Sequence, residues 1–418
     1  MKNLKYIDNT WDFRNDDVKY LTHCIHNYPA MMIPQIANRI IEKYGSKAKT
    51  LFDPYCGTGT SLLEANLSGI NAIGTDVNPL ARLISKVKTT IIPIDETEKF
   101  INNLQDSYLL NSFSGDSKLF LEYVPNTSNL DFWFSKEVKA CLSQIKKFIY
   151  EIKNTDIKDF FKVAFSETVR ECSWTRNSEF KLYRIPKETL DSFNPDVFKI
   201  FIKKILRNLK GIKELQQVKK NKNYSQIFDF DTVQGLPLSL FENQNIDLVV
   251  TSPPYGDSRT TVAYGQYSKL SSDWLDFSNT NQIDKKIMGG TLNKEISKFA
   301  FNKLDSAITQ IRNSDLKRSQ EVYSFFRDYE ISIQNISKVM LANSIAAYVV
   351  GNRKVKGVTI PMDEATVYFF EKAGFQHLET IVREIPNKRM PSKNSPSNEI
   401  GKVENTMLNE YIVIMKKK

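Results

Sequence analysis

A Rossmann-like α/β fold, a doubly wound sheet of seven strands with largely helical insertions, is what this sequence predicts. Three observations point there. Short apolar runs bounded by turn residues recur at 49–53, 71–75, 225–229, 246–251, 344–350, 378–385 and 410–415, with helical patterns between them. The first run leads straight into a glycine-rich turn and then a helix. The second ends on Asp76, 19 residues after Gly57, the spacing at which an acid meets two ribose hydroxyls in nucleotide-binding sheets.

Taken in order, Thr50-Leu51-Phe52-Asp53 reads as a strand end, followed by Pro54-Tyr55-Cys56-Gly57-Thr58-Gly59-Thr60. Leu62, Leu63 and Leu67 share one face of the helix from Ser61 to about Ser68. Such a turn brings backbone N–H groups close to a ligand, although the third glycine of the full dinucleotide fingerprint is missing. Asp76 has two readings, a ribose ligand or a helix N-cap ahead of Pro79. Ile246–Val250 is a buried parallel strand. Two prolines cannot continue it, so Thr251-Ser252-Pro253-Pro254-Tyr255 is a tight turn with carbonyls that no ladder uses. Those carbonyls suit an exocyclic amino group, and the tyrosine ring suits the base that carries it. The plainer reading is a Pro-Pro turn with a packing tyrosine. The helix at 319–341 carries Val322, Phe325, Phe326, Tyr329, Ile333, Ile336 and Met340 along one stripe. Residues 95–222 are a largely helical insertion, with Val138, Leu142, Ile145, Ile149 and Ile152 at helical spacing. Residues 256–318 are a second, polar and aromatic insertion.

At 41% hydrophobic and 25% charged, the 418 residues have the composition of a soluble globular chain. No apolar run reaches the ~18 residues of a membrane span, and no secretory signal opens the chain. The four cysteines lie far apart without metal spacing, and the three histidines make no zinc site, so no metal is expected and the thiols suit a reducing cytoplasm. Net charge is +10, and nine Lys or Arg against Glu214 lie between Lys199 and Lys222. Such a run is a solvated helix face or a phosphate-contacting surface.

With these motifs in this order, the chain resembles the amino-methylating DNA methyltransferases. The likeness is to the cytosine-N4 branch, whose catalytic motif is Ser-Pro-Pro-Tyr, here Ser252, Pro253, Pro254 and Tyr255. It implies the methyltransferase variant of the sheet and S-adenosyl-L-methionine as cofactor. Residues 1–94, 223–255 and 319–418 then form the catalytic domain, with 95–222 and 256–318 as candidate DNA-recognition and DNA-lid insertions. His26–Met31, with Tyr28 and Pro29, looks like the segment that closes over the methionine end. Phe52, Asp53, Pro54, Cys56, Gly57, Thr58, Gly59 and Thr60 look like the cofactor motif. The resemblance gives Asp53 to the methionine ammonium, Asp76 with Val77 to the ribose, and Asp231 with Thr232 to the adenine. The tail around Asn387-Lys388-Arg389-Met390-Pro391 and Asn394-Ser395-Pro396 also resembles this branch.

The mechanism this implies needs no covalent enzyme intermediate. Ser252 Oγ and the Pro253 carbonyl accept the amino N–H groups and free the nitrogen lone pair, while Tyr255 stacks on a base flipped out of the duplex. The implied partner is double-stranded DNA in a bacterial cytoplasm, with a restriction endonuclease encoded nearby. Adenine-N6 and RNA guanine-N2 methylation, and a non-catalytic DNA-binding protein, are the competing readings. Candidate DNA contacts are Trp174, Arg176 and Lys181 in an aromatic–basic stretch, Lys203, Lys204 and Lys210 in the basic run, Arg259 after the catalytic turn, and Lys388 and Arg389 in the loop 386–405.

Overall fold

The computed structural model describes residues 4–114, 120–127, 129–177, 179–219, 222–241, 245–256, 261–385, 393–394, 404–405 and 407–418. Its centre is an eight-stranded sheet. In chain order the strands are β1 (Lys5–Ile7), β2 (Thr50–Asp53), β3 (Asn71–Thr75), β4 (Ser225–Phe228), β5 (Ile246–Thr251), β6 (Met340–Val350), β7 (Phe375–Glu384) and β8 (Asn409–Lys417). Their order across the sheet is β1-β7-β8-β6-β5-β2-β3-β4. Only β8 runs antiparallel, pairing with β6 and β7. This is a doubly wound sheet, with the order reversing between β2 and β5.

The expected seven strands are all present, and β1 is an addition. Lys5–Ile7 pairs in parallel with Thr380–Val382 at the edge. Three residues are too short to show a period of two, so only the edge of β7 turns this segment into a strand.

Alternation along each strand divides the core between two faces. On one face Phe52, Ile73, Val249, Tyr348 and Val413 pack with helices α10 (Leu316–Val339) and α11 (Met362–Lys372). On the other, Leu51, Ala72, Leu248, Val349 and Ile412 pack with α1 (Pro34–Tyr44) and α2 (Thr60–Leu67). Each fully buried aliphatic or aromatic side chain contributes ~1.5–3 kcal/mol, which is why central strands read as apolar runs. The first insertion builds a third core. Helices α4 (Ile94–Ser114), α5 (Lys136–Glu151), α6 (Thr155–Cys172) and α7 (Val197–Val218) gather around Phe160, Phe161, Phe165 and Phe201. Two neighbours complete that core: α3 (Pro79–Thr89), which follows β3, and α8 (Tyr264–Trp274) from the second insertion. In that insertion, α9 (Asn302–Ser314) supplies Leu304, Ile308 and Ile311 to the first face. Among the described residues, no helix is long and apolar enough to cross a membrane.

Candidate functional site

The carboxyl ends of β2 and β5 lie side by side, because Leu51 and Phe52 pair with Leu248 and Val249. In an open parallel sheet this is the crevice where ligands bind. Thr251 Oγ1 donates to Asp53 Oδ1 at 2.6 Å, the Tyr55 N–H donates to the same oxygen at 3.1 Å, and Ser61 Oγ donates to Oδ2. Burial outweighs these bonds and pushes the Asp53 carboxyl up to about 6. The glycine turn follows, with Gly57 at φ 48° and Gly59 at φ 77°. Its Gly57 N–H donates to Asp76 Oδ2 at 3.0 Å, and the Asn78 N–H donates to Oδ1 at 2.7 Å. The cap of α3 is Asn78, whose side chain accepts from the Leu80 N–H at 3.1 Å. Of the two readings of Asp76, the N-cap is therefore excluded. Its carboxyl is raised from the ordinary value by burial.

One cavity joins these groups. It is lined by Tyr28, Pro29, Asp53, Pro54, Cys56, Gly57, Thr58, Thr60, Asp76, Val77, Asp231 and Thr232, and by Ser252 and Pro254 of the Pro-Pro turn. Asp231 Oδ1 accepts from the Val233 N–H at 2.9 Å, and burial again raises its carboxyl. Thr232 Oγ1 and Tyr55 Oη both bond Ser332 Oγ of α10, which ties the loop after β4 to the glycine turn. A larger hollow of ≈ 1480 Å³ adjoins it, sharing Val77, Phe230, Asp231, Lys286 and Ile287 but not the Pro-Pro turn.

Several lining residues were not foreseen. Tyr264, Lys286, Ile287 and Met288 reach the cavity from the second insertion. Tyr264 stacks on Tyr28 with centroids 5.9 Å apart, and Tyr267 meets Tyr28 edge-on at 5.6 Å. Asn78 Nδ2 donates to Tyr28 Oη at 2.9 Å and to Ser268 Oγ at 3.1 Å. So this insertion, expected to act on DNA, also lines the cavity beside the glycine turn. The aromatic spacing hinted at packing, but nothing local names Tyr28 as its partner. Phe52 is a correction. Fully buried against Phe241 with centroids 5.3 Å apart, it belongs to the core and not to the cavity wall. Gly59 likewise turns away from the cavity, toward Ser85 of α3.

Pro253 and Tyr255 are not part of that lining. Pro253 is buried. Tyr255 donates its hydroxyl to Glu410 Oε1 of β8 at 3.0 Å, and its ring lies beside Gly351.

The basic run forms α7, and part of it is not available to phosphates. Lys204 is 7% exposed and pairs with Glu171 at 2.5 Å and Glu167 at 3.6 Å. The expectation that it contacts DNA is withdrawn, because a lysine ammonium held under the helix by two carboxylates cannot reach a backbone. Arg207 pairs with the same Glu167 at 2.6 Å. Lys203 and Lys210 are exposed, and Lys210 keeps only a 3.8 Å contact to Glu214. Trp174 is half-buried, and the Arg184 guanidinium lies 4.8 Å from its ring and 4.2 Å from that of Phe132 in a hairpin closed by Thr175 and Arg184. Arg176 is exposed and Lys181 half-buried on that hairpin. Arg259, Lys388 and Arg389 lie outside the described residues.

Comparison with known proteins adds the family. The family described as DNA methylase, of N6 and N4 type, matches residues 1–87. The type II methyltransferase M.MvaI of Kocuria varians is 41% identical over 428 residues, covering 97% of this chain and 93% of that protein. M.BsoBI of Geobacillus stearothermophilus, also a type II methyltransferase, is 24% identical over 61% of this chain and 54% of its own length. The type II methyltransferase M.MjaII of Methanocaldococcus jannaschii is 23% identical over 56% of this chain and 59% of its own.

Proposed function

The chain belongs to the amino-methylating type II DNA methyltransferases, and we propose that within them it methylates the N4 amino group of a cytosine flipped out of a specific duplex site. On this reading it works in the bacterial cytoplasm as the modification partner of a restriction endonuclease. What supports it most is that Ser252 and Pro254 open into the same cavity as three carboxylates, Asp53, Asp76 and Asp231. Acids at these points suit a ligand with an ammonium, a ribose and an adenine amino group. S-adenosyl-L-methionine, the family's methyl donor, has all three, and it supplies an electrophilic methyl on a sulfonium.

The chain's own residues do the rest. Asp76 accepts from the ribose hydroxyls with the lone pairs that the Gly57 and Asn78 N–H groups leave over. Asp231 accepts from the adenine amino group. Asp53, anchored by Ser61 and Thr251, sets a negative charge at the methionine end. Ser252 Oγ and the Pro253 carbonyl accept the two N–H bonds of the target amino group. That favours a pyramidal nitrogen whose lone pair is aimed along the cavity. The Tyr255 ring stacks on the flipped base, which is worth ~1–3 kcal/mol. Tyr28 and Tyr264 keep water away from the transferring methyl.

Nucleoside mass spectrometry and methylation-aware sequencing of DNA from cells expressing the protein test the proposal. N4-methylcytosine at one recurrent sequence is the expected result. N6-methyladenine as the sole product would overturn the base assignment. Methyl transfer to transfer RNA with none to DNA would overturn the substrate.

A further inference from the structure

Tyr255 is held by strands far from it in sequence. Its hydroxyl donates to Glu410 Oε1 at 3.0 Å. The other oxygen of Glu410 accepts from Arg383 Nη1, and Glu410 and Arg383 face each other across the β7–β8 ladder. Arg383 is 3% exposed, and its Nη2 donates to the Asp12 carbonyl at 3.1 Å. Asp12 is itself fixed by the Glu384 N–H at 2.9 Å and by Arg14 at 2.9 Å. The chain of contacts thus runs from the N-terminal segment, through two strands, to the Tyr255 ring.

A second observation concerns the ring's flank. A Cβ on Gly351, just past β6, would stand 2.8 Å from Tyr255 Cδ2 and would run into Met407 Sδ. A bare backbone at 351 is therefore what lets the ring lie where it does. Restrained at its hydroxyl and along one edge, the ring has little freedom to turn.

We infer that Glu410 is a positioning residue for methyl transfer: it fixes the plane of the Tyr255 ring against which the target base stacks, and Arg383 aims Glu410. This deepens the proposed function and rests on Ser252–Tyr255 being the transfer turn. An ion pair kept only for stability gains little over apolar packing once its desolvation is counted. Here one carboxylate oxygen goes to the cation and the other to the phenol, which is the arrangement of a relay. Burial and the Glu410 charge hold the phenol well above its ordinary value, so it remains a donor to that carboxylate.

The test is a double-mutant cycle on the full chain, with Tyr255→Phe, Glu410→Ala, Glu410→Gln and the combinations. Unmethylated bacteriophage DNA and radiolabelled S-adenosyl-L-methionine are the substrates. Wild-type incorporation into this DNA tests the underlying reading on its own. If that holds, Tyr255→Phe and Glu410→Ala should each lower kcat about ten- to a hundredfold, the size of one charge-assisted hydrogen bond. Cofactor affinity by calorimetry should stay within about twofold of wild type. The combined variant should be no slower than the slower single, because both changes break one link. Glu410→Gln keeps an amide oxygen for the phenol and should recover part of the rate. It also provides a cycle with Tyr255→Phe should Glu410→Ala not fold. Losses that multiply in the combined variant, or wild-type kcat in both Glu410 variants, would overturn the inference.

Discussion

Alanine at Gly57 and at Gly59 should break two different things. Both glycines have positive φ, 48° and 77°, so a Cβ at either costs ~1–2 kcal/mol of backbone strain. Their surroundings differ. A Cβ on Gly59 would run into Ser85 Oγ and stand 3.1 Å from the Ser85 Cα on α3. Overpacking of that kind adds ~1–3 kcal/mol, so Gly59→Ala should cost roughly 2–5 kcal/mol of stability. A Cβ on Gly57 meets nothing within 4 Å, beside a cavity that Gly57 itself lines. Its stability cost is the strain alone. Its effect should fall on the cofactor, whose close approach needs the bare backbone: about a tenfold or greater rise in Kd. Urea denaturation of the ligand-free protein measures the first effect, and calorimetry with S-adenosyl-L-methionine measures the second. If Gly57→Ala bound the cofactor with wild-type affinity, the turn would not approach a ligand, and the assignment of this cavity would have to be abandoned. If Gly59→Ala were as stable as wild type, α3 would be free to move away and the packing argument would fail.

Asp76→Ala should raise the Kd for the cofactor roughly 10- to 150-fold, the ~1.5–3 kcal/mol of a charge-assisted contact. A 2′,3′-dideoxyribose analogue of the cofactor should bind the variant and the wild type with nearly equal affinity, and a persisting difference would argue against the ribose contact. Asp53 titrates near 6, and its ionised form is the one that attracts a cation, so kcat/KM for cofactor should rise with pH through about 6 and lose that limb in Asp53→Asn. For folding the sign is opposite: a carboxyl raised above its unfolded value favours the folded state below about pH 4, and that contribution is lost as pH climbs toward 6, visible as a change in the pH dependence of Tm on replacing Asp53. Lys203 and Lys210 changed to Gln should weaken specific and non-specific DNA binding alike, lowering the salt slope by roughly one unit per lost phosphate contact, whereas an unchanged slope would make this an ordinary solvated face. Lys204→Gln should instead destabilise the protein by ~1–3 kcal/mol through the lost pairing with Glu171 and Glu167, Glu167 keeping Arg207, measurable as a lowered urea midpoint.

Residues that act through near neighbours were legible in the sequence. Buried parallel strands are continuous apolar runs, so β3 and β5 have the ends that their hydrophobicity predicts. Prolines stop a strand and glycines allow positive φ whatever lies around them, so the turns at Gly57 and Ser252 announced themselves. Contacts between distant segments decided the rest. A basic run has the same composition whether its ammonium groups meet solvent or a carboxylate from α6, and only packing of α7 on α6 put Lys204 on the buried side. The motif around Phe52 suggested a cofactor neighbour, but the side chains of a strand alternate, and that of Phe52 points into the core beneath the sheet. The roof of Tyr264 and Met288 over the cavity follows from how the second insertion folds back. Tyr255 and Glu410 are 155 residues apart, and they meet because β8 enters the sheet antiparallel between β6 and β7. Local chemistry specifies strands and turns, while strand order brings separate side chains to one place.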